Sequence, residues 1–117
     1  KSEHLIGYFT KFGDGAADVL PIVSLYKTQV RELARFLGIP DHIIQKKSSP
    51  NLWPNHVAES EIGSTYEEID CILYCILDKK MSVDETINQT KIKEETVEKI
   101  YQLYKKSEHK RITPEYL

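Results

Sequence analysis

The sequence predicts a mostly helical domain with one short extended piece, and three observations predict it. Apolar residues recur at helical spacing in 24–37, 65–77 and 93–106. Two capping boxes, Thr65 with Glu68 and Ser82 with Glu85, mark helix starts. Strand-like character is confined to "DVLPI", residues 18–22, where Pro21 suits a strand end or an edge.

The chain has 117 residues, enough for one domain or part of one. Hydrophobic residues make up 40% and charged residues 29%, an ordinary globular balance. With 16 basic and 18 acidic residues the formal charge is −2, which argues against a nucleic-acid-binding protein. The longest apolar run, "CILYCIL" at 71–77, falls far short of the roughly 20 residues of a membrane span. Cys71 and Cys75 are expected as reduced, buried thiols on one helical face, and hence a cytoplasmic compartment. The chain opens without a methionine, inside what reads as a working segment, so a fragment of a longer protein is expected.

Residues 7–21, "GYFTKFGDGAADVLP", read as a turn rather than a packed element. Gly13 and Gly15 flank Asp14, permitting positive φ and close approach of backbone N–H groups to a ligand. Ordinary surface turns use the same residues.

Ser24 is the expected N-cap of the next helix, whose apolar positions are Val30, Leu33, Ala34 and Leu37. Gly38 and Pro40 end it. "DHIIQ", 41–45, reads as a short turn. The aperiodic stretch 46–63 carries the single tryptophan and is expected to be a mobile lid or binding loop. A plainer account has Leu52, Trp53 and Pro54 stapling it to the body.

The helix begun by Thr65 shows a clean stripe of Ile69, Ile72, Leu73, Ile76 and Leu77, and Asp78 with its following lysines ends it. Ser82 starts a short helix through about Asn88. The helix over 93–106 aligns Val97, Ile100, Tyr101 and Tyr104, residues suited to a core. A C-terminal arm, 107–117, is expected after it.

Lys27 stands out because it falls in a helix's first turn, where the dipole favours anions and disfavours a cation. A negative ligand there would account for it. The basic run His109, Lys110 and Arg111 either complements a helix C-terminus or closes over a phosphate or carboxylate. There is no Ser/His/Asp order, metal-spaced Cys/His cluster or Walker loop, and His4, His42, His56 and His109 are scattered.

Taken in order, "GYFTKFGDGAADVLPIVSLYKTQVRELARFLGIP", "SSPNLWP", "EIGSTYEEID" and "EHKRITP" resemble the C-terminal half of NAD synthetase. The most specific part is "GYFTKFGDG" leading into "LYKTQVRELA", and the least typical is 77–106. The resemblance implies a Rossmann-like α/β fold of the ATP-pyrophosphatase (adenine nucleotide alpha hydrolase-like) kind. This chain, 1–117, would be the mostly helical C-terminal portion of that single domain, which is usually a homodimer. It also implies adenylation of the deamido-NAD carboxylate by ATP with magnesium, then attack by ammonia to give NAD, AMP and pyrophosphate.

By the same resemblance Glu3 matches the acidic position that helps hold Mg2+. Lys11 and Asp18 match positions that contact deamido-NAD, and Asp14 an acidic residue near the reacting end of the substrate. Lys27 matches a lysine that meets ATP phosphates, Ser49 a Ser/Thr on the loop that contacts ATP, and His109 and Lys110 a pair that reaches deamido-NAD. The family's Ser-Gly-Gly-x-Asp-Ser loop is absent, and Pro50 and Asn51 stand where Ala-Asp is more usual. The chain alone is therefore expected to be inactive, with faces meant for a sheet left exposed. Two alternatives stay open. One is a non-catalytic helical binding or dimerisation module that uses the stripe 69–77 as its partner surface. The other is a sister ATP pyrophosphatase that amidates another carboxylate.

Overall fold

The computed structural model describes residues 1–13 and 15–112. Among them the helices run α1 Ser2–Ile6, α2 Lys27–Phe36, α3 Asp41–Ile44, α4 Ala58–Ile62, α5 Tyr66–Leu73, α6 Val83–Thr90, α7 Glu94–Lys106 and α8 Glu108–Arg111. A π-helical turn, Tyr74–Asp78, extends α5. Asp14 and residues 113–117 lie outside the described residues.

The molecule is built around α5. Thr65 Oγ1 accepts the Glu68 amide at 3.3 Å and Glu68 Oε2 accepts the Thr65 amide at 3.2 Å, the reciprocal cap expected from the sequence. Its stripe then buries completely, with Tyr66, Ile69 and Ile72 at 0% exposure. Each such isoleucine contributes about 1.5–3 kcal/mol relative to exposure. The stripe meets Ile6 of α1, Tyr26, Ala58 and Ile62 of α4, and Val97 and Ile100 of α7. Since Ile69, Ile72 and Leu73 pack inside this chain, they are not a partner surface, which removes the basis given for the binding-module alternative. The second capping box also forms, Ser82 with Glu85.

Five expectations are corrected. The described residues contain no β-strand, and "DVLPI" runs into turns: Leu25 N–H closes on the Ile22 carbonyl at 3.0 Å. Pro21 lacks a donor and no strand lies alongside to pair with, so nothing holds this piece extended. Ser24 lies in that turn and caps nothing; Tyr26 holds the N-cap position of α2. The region 41–45 forms the short helix α3, and 46–63 contains α4, so neither is wholly irregular. Cys75 is buried as expected, but Cys71 is exposed on the outer side of α5. Burial, with Cys71 beside it, pushes the Cys75 thiol up.

The apolar face of α2 is the largest departure from packing. Leu33, Phe36, Leu37, Ile39 and Ile43 are exposed, and α2 buries no residue fully. Gly38, at φ 73°, ends α2 as its sequence position predicts.

Candidate active site

A cleft of about 250 Å³ opens between α1, the segment 8–25 and the start of α2. Its walls include Ser2, Glu3, His4, Phe9, Leu20 and Lys27. The first turn of α1 and the first residue of α2 thus bring a carboxylate and a cation together: Lys27 Nζ lies 3.4 Å from Glu3 Oε1. The pair is partly open to solvent, so its attraction is worth about 0–1 kcal/mol and the Lys27 ammonium can be redirected cheaply.

Tyr66, buried on α5, fixes the carboxylate from below. Its hydroxyl donates to the same Glu3 oxygen at 2.7 Å, and its ring lies 5.3 Å beneath the Lys27 ammonium. Burial first, then the hydrogen bond to Glu3, pushes the Tyr66 hydroxyl well above the usual phenol range, so it stays a donor.

The amides at the start of α2 are not free for a ligand. The Lys27 N–H donates to Ser2 Oγ at 2.8 Å, and the Thr28 N–H donates to Asp70 Oδ2 at 2.8 Å. Ser2 Oγ in turn donates to Asp70 Oδ1. A buried carboxylate therefore already occupies the anion position at this helix end, and with Glu3 it balances the charge of Lys27.

A second cluster forms where the C-terminal arm meets 7–12. Lys110 Nζ donates to the carbonyls of Gly7 (2.7 Å) and Phe9 (2.9 Å), and Lys11 Nζ donates to the His109 carbonyl at 2.6 Å. Arg111 reaches the Leu5 carbonyl at 2.6 Å and, at the end of α7, the Tyr104 carbonyl at 2.8 Å. Arg111 thus takes the helix-end role, while Lys110 fastens the arm to the backbone of 7–9. Phe9 joins the two clusters: it stacks on His4 in the cleft, 5.1 Å between centroids, and Lys110 lies over its ring. Burial, then the charge of Arg111, holds His4 below its ordinary range, favouring a neutral ring.

The glycine turn works differently from its expected use. Gly13 does not take positive φ, and the Gly13 and Gly15 amides both close on the Thr10 carbonyl, at 3.1 and 2.9 Å. Gly15 is required by space: a Cβ there would stand 2.8 Å from the Lys11 carbonyl and the Phe9 ring. Asp18 is exposed on the following bend. Ser49 accepts the Asn51 amide at 3.0 Å within its own loop, apart from the cleft walls.

That loop is held by Trp53, one of the expected staple residues, together with His56, Glu61 and Tyr8, which the sequence did not single out. His56 is buried, stacks on Trp53 with 3.4 Å between centroids, and lies 2.7 Å from Glu61 Oε2, which also accepts the Tyr8 hydroxyl at 2.5 Å. Tyr8 is pushed up to about 12, by burial before its bond to Glu61, while Tyr8 and then His56 hold the Glu61 carboxyl below its usual value.

Among the described residues no three His, Cys, Asp or Glu side chains gather as a metal cluster. Glu3 is the carboxylate among the described cleft walls, which suits a cation that takes one carboxylate and completes its shell with phosphate and water. No described helix is long and apolar enough to cross a membrane.

A helical body thus brings Lys27, Glu3 and the Phe9 ring together in one open cleft. The comparisons with known proteins give the family. The NAD synthase family model matches residues 1–114, and the chain belongs to that family. It is 54% identical to the NH(3)-dependent NAD(+) synthetase of Hyperthermus butylicus and 53% identical to that of Saccharolobus solfataricus, over 97% and 98% of its length. In each case it spans 41% of the relative, so it is well under half the length of the curated proteins it matches. Among solved structures, the NMN synthetase from Francisella tularensis superposes with a TM-score of 0.74 at 41% identity, covering 98% of this chain and 44% of that one.

Proposed function

We propose that this chain is the C-terminal portion of an NAD synthetase that amidates deamido-NAD with ammonia, using ATP and magnesium. The observation that carries the reading is the Glu3–Lys27 pair, set in one open cleft and held loosely enough to be redirected. In this reading the Lys27 ammonium would turn from Glu3 to the ATP phosphates, and Glu3 would be the residue that holds magnesium. Bound there, the metal would supply charge neutralisation for the departing pyrophosphate. The deamido-NAD carboxylate attacks the α-phosphate, pyrophosphate leaves, and ammonia displaces AMP from the mixed anhydride. Such a sequence needs orientation more than a covalent enzyme group.

Lys11, Asp18, His109 and Lys110 would read the dinucleotide at the rim where the arm meets 7–12. Asp14, outside the described residues, would stand near its reacting end, and Ser49 would reach ATP by movement of the 46–57 segment. The exposed apolar face of α2, with Val19, Leu20 and Ile22, would be covered by the remainder of the fold. A cytoplasmic homodimer is the expected setting. The likeness to the NMN synthetase of Francisella tularensis favours one second reading, in which the acceptor is the shorter mononucleotide.

The test is NAD formation by the complete protein from deamido-NAD, ATP, magnesium and ammonia, run beside the corresponding mononucleotide. Preference for the mononucleotide would select the second reading. A Lys27→Ala variant with undiminished kcat/KM for ATP would overturn the phosphate contact.

A further inference from the structure

Asp70 is the one carboxylate buried among the described residues, and the activity proposed above does not use it. We propose that Asp70 is a positioning residue that sets the start of α2, and so Lys27, against Glu3. The inference rests on the phosphate role given to Lys27.

Local capping would not need a buried charge. A Ser, Thr or Asp at position 26 could satisfy the first amides of α2 from its own side chain. That position holds Tyr26, whose hydroxyl goes to Asp78 and whose own amide is met locally by Gln29 Oε1 at 2.9 Å, leaving the Lys27 and Thr28 amides without a local acceptor. The amides instead reach across the molecule: Thr28 N–H to Asp70 Oδ2 at 2.8 Å, and Lys27 N–H to Ser2 Oγ at 2.8 Å, with Ser2 donating to the other Asp70 oxygen. Ser2 immediately precedes Glu3, so one carboxylate ties together the backbones that carry both members of the pair. One turn earlier on the same helix, Tyr66 holds the Glu3 side chain. Two residues spaced i, i+4 on α5 thus brace the carboxylate and the cation from one rigid surface. A buried carboxylate without such donors would be strongly unfavourable, and here both oxygens are occupied.

The complete protein provides the test, with Asp70→Asn, which keeps the shape, and Ser2→Ala, which removes only the relay. Two readouts are taken: hydrogen exchange at the Lys27 and Thr28 amides, and steady-state kinetics. Asp70→Asn should speed exchange at both amides about tenfold or more while α7 is unchanged. It should raise KM for ATP about fivefold, with KM for deamido-NAD within about twofold. Added to Lys27→Ala, it should change kcat/KM for ATP by less than about twofold, because both act through one group. Unchanged amide exchange, or losses that multiply in the double variant, would overturn the proposal. So would an Asp70→Asn protein with a lowered melting temperature and wild-type ATP kinetics when Lys27→Ala has lost ATP affinity. Faster amide exchange with wild-type ATP kinetics in both Lys27→Ala and Asp70→Asn would sink the phosphate contact instead and leave the brace standing.

Discussion

Tyr66 donates its hydroxyl to Glu3 Oε1 at 2.7 Å, across 63 residues of sequence, and the same oxygen faces Lys27 at 3.4 Å. One buried phenol therefore decides where a partly exposed carboxylate points. Removing that hydroxyl with Tyr66→Phe leaves the packing intact and frees Glu3. We expect a stability loss of about 1 kcal/mol, since the bond is to an ionised but partly solvated acceptor. Urea denaturation of the complete protein measures it, and an unchanged midpoint would contradict the assigned bond.

The Tyr8–Glu61–His56 cluster should make the loop's attachment depend on pH at both extremes. Glu61 titrates below its unfolded value of 4.5, so its contribution is present above that pH and disappears as pH falls through the lowered folded value. Tyr8 has the opposite sign. Its folded value of about 12 exceeds the unfolded 10, so its contribution is full below pH 10 and is lost as pH rises toward 12. Limited proteolysis of 46–57 should quicken on both limbs. Glu61→Gln should abolish the acid limb; a Glu61→Gln protein with the wild-type acid profile would argue that another group holds the loop.

Gly7 ends α1 at φ 73°, and a Cβ there would overlap Ser107 Cβ. Ser107 Oγ meanwhile donates to the Leu5 carbonyl at 3.1 Å, so the backbone cannot simply back away. Gly7→Ala combines left-handed strain with a clash and should cost about 2 kcal/mol or more. Calorimetry of the complete protein checks this. A melting temperature equal to wild type would mean that α1 and α7 are less tightly joined than described.

Lys110 holds two carbonyls of the segment that carries Phe9 and Lys11. Lys110→Ala should therefore loosen that segment and raise KM for deamido-NAD about tenfold, with KM for ATP within about twofold. Lys110→Arg should recover part of the loss, because guanidinium N–H groups can reach carbonyls as well. Equal increases in both KM values would show that the arm does not distinguish the two substrates.

Both capping boxes and the stripe of α5 were legible because their partners lie three or four positions apart, within a single turn of the same helix. Lys27 was legible as an oddity, a cation at the wrong helix end, and the C-terminal basic run as a cluster. Asp70 left only a faint trace: a charge beside a fully apolar stripe, which had to find donors somewhere. His56 left none, since its stacking on Trp53 and its bond to Glu61 belong to an aperiodic loop.

The placement of α5, α6 and α7 and the family membership follow from local chemistry: caps, periodicity, and the order of short motifs along the chain. The start of α2 does not, because its first amides are satisfied by Ser2 and Asp70, which lie 25 and 42 residues away. Nor does the fate of the glycine turn, whose amides close on Thr10 rather than waiting for a ligand. Hydrogen bonds between distant segments form only once packing brings them within about 3 Å, and no pattern along the chain encodes that distance. The tertiary structure alone decided that Glu3 and Lys27 share a cleft, and that a buried carboxylate on another helix holds them there.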